Sequence, residues 1–228
     1  MNKPQPEQQR LPLRGEIRSH QVELLVQGAS NKADVLVVDV GEGPVVVKDF
    51  GSKPWWVRIL GRLQIRREVR AYRWLAGDRA VPRFLGSIDP YALAMEKVDG
   101  RQLAFVPDRR ENGPAYIRGL RKAIDGIHRA GVAHMDLRGR ENVLVREDGG
   151  IVLVDLAGAF CFRPGGLLHR MFFRWMIVPD ESAYLKWKRN LTPDDLTREE
   201  LEFESRSRRW RSLWPFNRKR RPGRQGRA

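Results

Sequence analysis

The stretch VLVVDVGEGPVVVKDF, residues 35–50, restricts the fold more than any other feature of this chain. Two β-branched runs, Val35 to Val40 and Val45 to Val47, flank a turn rich in Gly and Pro from Gly41 to Pro44, which is the pattern of a β-hairpin. Lys48 closes the second strand. A helical stretch follows from about Trp55 to Leu75, and the apolar runs Val81 to Leu85 and Tyr91 to Met95 predict two further strands. This part of the chain therefore reads as a small sheet carrying one helix.

The next segment changes period. From Pro114 to His128 the apolar positions Ile117, Leu120, Ile124 and Ile127 step by 3, 4 and 3, which predicts a helix with one buried face, and Gly131 supplies its C-terminal cap. His134, Met135 and Asp136 then fall in a polar loop. The strand Val143 to Val145, a tight EDGG turn and the strand Ile151 to Val154 run straight into Asp155. Two carboxylates thus sit at the ends of rigid elements, and the whole reads as an α+β chain.

Length and composition agree with a globular body. The 228 residues suit one ordinary domain or two small lobes, and 41% hydrophobic against 31% charged residues leaves enough apolar side chain for a core, despite a mean hydropathy of −0.53. A single cysteine, Cys161, excludes an internal disulfide and a thiolate-rich zinc site, which fits a reducing, cytoplasmic setting. The first twenty residues lack the apolar core of a secretory signal, and no run approaches the length of a spanning helix.

A lysine after a strand or a glutamate on a helix is ordinarily a surface residue, so neither means much alone. Their order carries the meaning. Phosphoryl transfer needs a cation on the nucleotide phosphates, a carboxylate to orient it, oxygen ligands for Mg²⁺ and a carboxylate beside the attacking hydroxyl. Lys48, Glu68, Asp136, Asn142 and Asp155 supply these groups in sequence.

The motifs VVVKDF, RREVRAYRWL, AMEKVDGRQL, HMDLRGRENVLV and LVDLAGA resemble those of the protein-kinase-like superfamily over about residues 20 to 160. The likeness is greatest to its compact atypical branch, which holds the RIO kinases and the bacterial lipopolysaccharide core sugar kinases. QGASNKADVL resembles the RIO-type nucleotide loop, with small residues Gly28, Ala29 and Ser30 where backbone amides approach phosphates. The resemblance implies a two-lobed kinase-like α+β fold with a truncated C-lobe. Its divisions are an N-terminal extension (1–19), an N-lobe (20–95), a compact C-lobe (96–205) and a basic, flexible tail (206–228). It implies ATP with Mg²⁺ or Mn²⁺ as the nucleotide and metal. Lys48 would contact the α and β phosphates and Glu68 would hold Lys48, while Met95, Glu96, Lys97 and Val98 would form the adenine hinge. Asp136 would orient the acceptor hydroxyl and help remove its proton, Asn142 and Asp155 would bind the metal, and His134 would brace the catalytic loop.

Three departures from the family pattern bear on function. Asp136 to Asn142 spans six positions where HRDLxxxN spans five, so the loop carries an extra residue, and Glu141 competes with Asn142 as the metal ligand. DLA replaces DFG at Asp155 to Ala157, which removes the Phe of the usual activation switch. No APE motif follows, and the 73 residues after Asp155 leave no room for a peptide-docking subdomain, which argues for another acceptor.

The net charge is +15, but the stretch from Arg206 onward holds nine Arg, one Lys and no acid, which leaves +5 for everything before it. That tail interleaves Trp210, Trp214 and Phe216 with its arginines, and two basic amphipathic stretches precede it. In one, Trp55, Ile59 and Leu63 run parallel to Arg58, Arg62 and Arg66; the other is LLHRMFFRWMIV, residues 167–178, with Arg170 and Arg174 one turn apart. Packing of both stretches against the protein's own lobes is the first expectation, because the fold needs apolar helical faces there. The competing reading is peripheral attachment to anionic membrane at the cytoplasmic face of the inner membrane, with RNA as a less favoured partner for the same charges. Phosphorylation of a hydroxyl follows as the expected activity, on a membrane-proximal glycolipid sugar ahead of a protein Ser/Thr. A RIO-like protein serine/threonine kinase that associates with RNA, or a pseudokinase scaffold, is the alternative.

Overall fold

The structure, a computed structural model, describes residues 10–29 and 31–212. An antiparallel sheet of five strands opens the chain: β1 (Gln21–Val26), β2 (Asp34–Val38), β3 (Val45–Asp49), β4 (Phe84–Asp89) and β5 (Ala92–Glu96), in the order β1-β2-β3-β5-β4. β2 and β3 form the hairpin that the β-branched runs predict, with Val38 opposite Val45. β3 also pairs with β5, so Lys48 has Val35 on one side and Leu93 on the other, in the centre of the sheet. β4 begins three residues later than its apolar run suggests and extends through Ser87 to Asp89. It is an edge strand defined by pairing with β5 rather than by burial, and its Asp89 forms an ion pair with Arg14.

The pleat gives each side of the sheet its own core. Leu36, Val38, Val45, Val47, Ala92 and Ala94 form the outer cluster, covered by Ile17 from the short helix α1 (Glu16–Ser19) and by Leu11. The segment set apart as an extension therefore closes the outer face from residue 11 onward, and Arg14 locks it by ion pairs to Asp49 and Asp89. The inner side faces α2 (Trp55–Trp74), whose Val57, Gly61, Ile65, Glu68, Val69, Ala71 and Tyr72 are buried.

After β5 the chain turns mainly helical. α3 (Gly113–Arg129) buries Ile117, Leu120, Ile124 and Ile127, each side chain worth about 1.5–3 kcal/mol of transfer from water. Gly131 follows with φ 79°, a left-handed position, and a Cβ there would meet the Phe162 carbonyl oxygen at 2.1 Å, so the helix stop demands glycine. β6 (Gly100–Gln102), β8 (Val143–Arg146) and β9 (Ile151–Leu153) make a second antiparallel sheet, while β7 (Val132–Ala133) pairs with β10 (Phe160–Cys161). A π-helical turn, His169–Phe173, continues into α4 (Arg174–Met176), and then come α5 (Val178–Leu191) and α6 (Arg198–Ser212). α5 packs on α3 and α6 on α5, tied by the pairs Arg121–Glu181, Lys188–Glu200 and Arg189–Glu204.

The expected start of the tail at 206 falls inside α6, where Glu204 and Ser207 are buried; residues 213–228 lie outside the described residues. Among the described residues no helix is long and apolar enough to cross a membrane. The two amphipathic stretches are packed away only in part, through Val57 and Ile65 in the first and Phe173 in the second. Trp55, Trp56, Ile59, Leu60 and Leu63 are exposed on the outer side of α2, as are Leu167, Leu168, Met171, Phe172 and Trp175 near α4.

Gly61 sets the distance between α2 and the sheet. A Cβ at this position would come within 2.4 Å of the ring of Phe50, itself buried. Ala is the better helix former by about 1 kcal/mol, whereas overpacking a core costs about 1–3 kcal/mol. The clash should win, so Gly61→Ala should lower the urea midpoint of unfolding. An unchanged or higher midpoint would show that Phe50 yields.

Candidate active site

Strand alternation decides where Lys48 points. Val45 and Val47 belong to the outer cluster, so Val46 and Lys48 emerge on the side covered by α2. Glu68 lies on the buried face of α2, one turn beyond Ile65. Lys48 Nζ stands 2.8 Å from Glu68 Oε2 and 2.7 Å from Asp155 Oδ1, so residues from β3, α2 and the end of β9 converge on one ammonium group.

The loop carrying Asp136 is fixed from below. Asp180, fully buried in the first turn of α5, accepts the backbone N–H groups of His134 and Met135 at 2.8 Å each and a hydrogen bond from His128 Nε2 at 3.0 Å. Trp187 Nε1 donates to the Leu137 carbonyl at 3.0 Å and Lys186 Nζ to the Arg138 carbonyl at 2.6 Å. His134 is fully buried; its Nε2 donates to the Val154 carbonyl at 3.0 Å and its Nδ1 accepts from the Asp136 amide at 3.4 Å. One imidazole thus joins the loop of Asp136 to the strand end that carries Asp155. Met135 (φ 73°) and Asp155 (φ 67°) are the non-glycine residues with left-handed backbone among the described residues. Such strain costs about 1–3 kcal/mol each and persists where surroundings over-determine it, which the Asp180 anchor does for Met135.

The extra residue between Asp136 and Asn142 is taken up by two successive turns, with the Gly139 amide on the Asp136 carbonyl and the Asn142 amide on the Gly139 carbonyl. Asn142 is buried, and its Nδ2 donates to the Asp136 carbonyl at 2.7 Å, which leaves its Oδ1 as the end available to a cation. Glu141 is exposed. Leu156, in the place of the family Phe, is fully buried beneath α2.

The expected nucleotide loop is committed to its own closure. The Gly28 amide donates to Asp34 Oδ1 at 3.0 Å and its carbonyl accepts from Lys53 Nζ at 3.0 Å. A Cβ on Gly28 would meet the Ala33 carbonyl oxygen at 2.2 Å, so only glycine permits the loop to fold back this closely. Ala29 is exposed, and Ser30 lies outside the described residues. Burial works to raise the Asp34 carboxyl, but hydrogen bonds from Lys53, Arg18, Ser52 and the Gly28 amide outweigh it and hold the group at about 2. At the hinge, Met95 is buried and its sulfur accepts from the Tyr72 hydroxyl at 3.4 Å. Glu96 pairs with Arg146 at 3.0 Å and accepts the Arg83 amide, Lys97 pairs with Asp99, and Val98 follows β5.

Electrostatics divide the three carboxylates. Burial would lower the Lys48 ammonium, but the charges of Glu68 and Asp155 overcome it and push the group up, keeping it cationic. Glu68 is raised by burial despite Lys48, whereas Asp155 is held below its ordinary value because Lys48 outweighs its desolvation. Asp136 is raised, first by burial and then by the charge of Asp155, which makes it a stronger base than a solvated aspartate. Among the described residues no cluster of three or more His, Cys, Asp or Glu could hold a metal unaided. The amide oxygen of Asn142 and the carboxylate of Asp155 are hard oxygen donors, suited to a cation that takes its remaining ligands from phosphates and water.

Sequence reasoning missed Asp180, Lys53 and Asp34. Asp180 follows Pro179 at a helix start, where an acid is ordinarily a solvated N-terminal residue; only the tertiary fold turns it toward the loop that carries Asp136.

No family model matches the chain. Over 77 residues it is 42% identical to a probable serine/threonine-protein kinase KIN1 homolog of Encephalitozoon cuniculi, covering 32% of this chain and 13% of that protein. Over 76 residues it is 41% identical to the hormonally up-regulated neu tumor-associated kinase of Homo sapiens, covering 31% of this chain and 10% of that protein. The chain thus matches little more than a tenth of the length of these curated relatives. Its likeness is to kinases, and its mixed α+β architecture is that of a compact kinase-like fold.

Removing one partner of the buried pair tests the electrostatics. Lys48→Met leaves Glu68 buried without its cation and should cost about 3–5 kcal/mol at pH 7. Loss of the cation raises the folded-state pKa of Glu68 further above the unfolded value, so the variant is penalised as pH rises and recovers as pH falls toward the unfolded pKa. Urea unfolding at pH 5.5 and 8 should therefore show the larger deficit at pH 8. Lys48→Met/Glu68→Gln should lose less than the sum of the single changes.

Proposed function

We propose that this protein is a kinase-type phosphotransferase that moves the γ-phosphoryl group of ATP to a hydroxyl acceptor. The observation that carries the reading is the convergence of Lys48, Glu68 and Asp155 beside Asp136 and Asn142, from β3, α2 and the two loops flanking the β8–β9 hairpin. Partial identity to proteins named as kinases supports it.

In this reading Lys48, oriented by Glu68, binds the α and β phosphates. Asn142 and Asp155 would hold the divalent cation, Mg²⁺ or Mn²⁺, which when bound would supply charge neutralisation at the phosphates. The hinge Met95 to Val98 receives adenine, and the loop that Asp34 and Lys53 close at Gly28 borders the phosphates. Asp136 accepts the proton of the acceptor hydroxyl as its oxygen bonds to the γ phosphorus. The bond from that phosphorus to the β–γ bridging oxygen breaks, and ADP leaves. His134 and Asp180 act by holding the Asp136 loop in place. Positioning and charge neutralisation supply most of the rate.

The acceptor we favour is a sugar hydroxyl of a membrane-proximal glycolipid, because the motifs resemble those of lipopolysaccharide core sugar kinases. A protein serine or threonine is the second reading, favoured by the serine/threonine-kinase name of the Encephalitozoon cuniculi relative.

Labelled ATP with Mg²⁺ or Mn²⁺, incubated with purified protein and separated cell fractions, distinguishes these acceptors. Label in the glycolipid fraction supports the first reading and label in protein the second. ATP binding with no transfer to any fraction would make the chain a pseudokinase. Asp136→Ala should lower transfer by about 10²–10⁴-fold with nucleotide affinity nearly intact, whereas Asp155→Ala should weaken both. Asn142→Ala should lose activity mainly at limiting metal. Wild-type transfer by purified Asp136→Ala would refute the assignment.

A further inference from the structure

The exposed side of α2 has no role in the phosphotransfer site, yet it is built to a pattern. Val57, Gly61, Ile65 and Glu68 face inward, while Trp55, Trp56, Ile59, Leu60 and Leu63 form an apolar ridge on the outside. Trp55 is 73% exposed and Ile59 and Leu63 are 56% and 55% exposed, so burial in this fold does not account for their being apolar. Beside the ridge, Arg62, Arg66, Arg70 and Arg73 line a hollow of about 590 Å³ that ends at Trp74. Among the described residues none of these four arginines forms a salt bridge with an acid; Arg70 and Arg73 instead lie over the rings of Trp74 and Phe84. Asp89, the one acid among the described residues lining the hollow, is already paired with Arg14.

We infer that the outer face of α2 docks on the surface of an anionic lipid bilayer, with the ridge in the boundary between headgroups and acyl chains and the arginine row on lipid phosphates. Tryptophan at the end of a short apolar stripe, flanked by cations along the same helix, is the arrangement of interfacial helices. Charge complementarity selects an anionic partner. The aliphatic side chains of Ile59, Leu60 and Leu63 select lipid over nucleic acid, since they have no plane on which to stack a base. The exposed Leu167, Leu168, Met171 and Phe172, with Arg170 among them, repeat the composition on the segment that follows β10, which itself lies against α2 through Phe160 and Arg67.

The test uses the full chain and sedimentation with vesicles of phosphatidylcholine alone or mixed with phosphatidylglycerol. Binding should be at least tenfold stronger to the anionic vesicles and fall with salt. Ile59→Ser/Leu63→Ser should weaken it at least tenfold, and Arg62→Gln/Arg66→Gln should weaken it and flatten its salt dependence. All these positions are outside the catalytic cleft, so circular dichroism and ATP affinity should match wild type, which separates loss of docking from loss of folding. Vesicle binding is measured without turnover, so it stands or falls independently of the phosphotransfer reading. Ridge and arginine variants that bind like wild type would overturn the proposal and assign attachment to other parts of the chain. Binding to polynucleotide or to an acidic protein with none to vesicles would overturn it as well.

Discussion

A lysine ammonium buried between two carboxylates holds the candidate site together. Lys48 belongs to the central strand of the first sheet, Glu68 to the helix that covers that sheet, and Asp155 to the strand end of the second, so one cation joins the parts of the chain on either side of the β5 end. Taking such charges out of water costs several kcal/mol per ion, which only close pairing repays. The arrangement is therefore sensitive to position: a small displacement of α2 would leave a desolvated charge unmatched. This explains why the spacing of α2 from the sheet is controlled at Gly61, where no side chain intervenes between the helix and Phe50.

The second constraint is a buried carboxylate that holds two backbone amides and one imidazole. Asp180 takes the amides of His134 and Met135, and so fixes the left-handed turn at Met135 that presents Asp136. Together with His134 on the Val154 carbonyl, this links α5, the loop of Asp136 and the approach to Asp155 in one hydrogen-bonded chain. The strained residues Met135 and Asp155 sit at the two ends of that connection. Rigidity is thus concentrated under the two aspartates that the chemistry would use, while the side chain of Asp155 remains partly exposed toward the cleft.

Much of this was legible in the sequence because it depends on periodicity. The β2–β3 hairpin follows from β-branched runs around a Gly-Pro turn, α3 from its 3-4-3 apolar steps, and the β8–β9 hairpin from its EDGG turn. β4 was less legible, since an edge strand with Ser87 and Asp89 need not look apolar to be paired. β1, exposed along its whole length, left no burial pattern to read. In the site, the residues Lys48, Glu68, Asp136, Asn142 and Asp155 were visible from order and spacing, and the structure brings them together. Asp180 was not, because a buried carboxylate and a solvated helix-start carboxylate look alike in one dimension.

The amphipathic stretch of α2 shows where periodicity misleads. Trp55, Ile59 and Leu63 recur at helical spacing, and the ordinary inference is that such a stripe faces the core. The inner face is instead set by Val57, Gly61, Ile65 and Tyr72, and Phe50 beneath the helix leaves no room for a side chain at position 61. Close approach at Gly61 marks that face as the inner one, while Trp55, Ile59 and Leu63 fall on the other side. The same helix has two apolar faces: one brings Glu68 to Lys48, and the other joins no buried cluster among the described residues. In this helix the tightest contact, at Gly61, identifies the core face better than the most regular apolar stripe does.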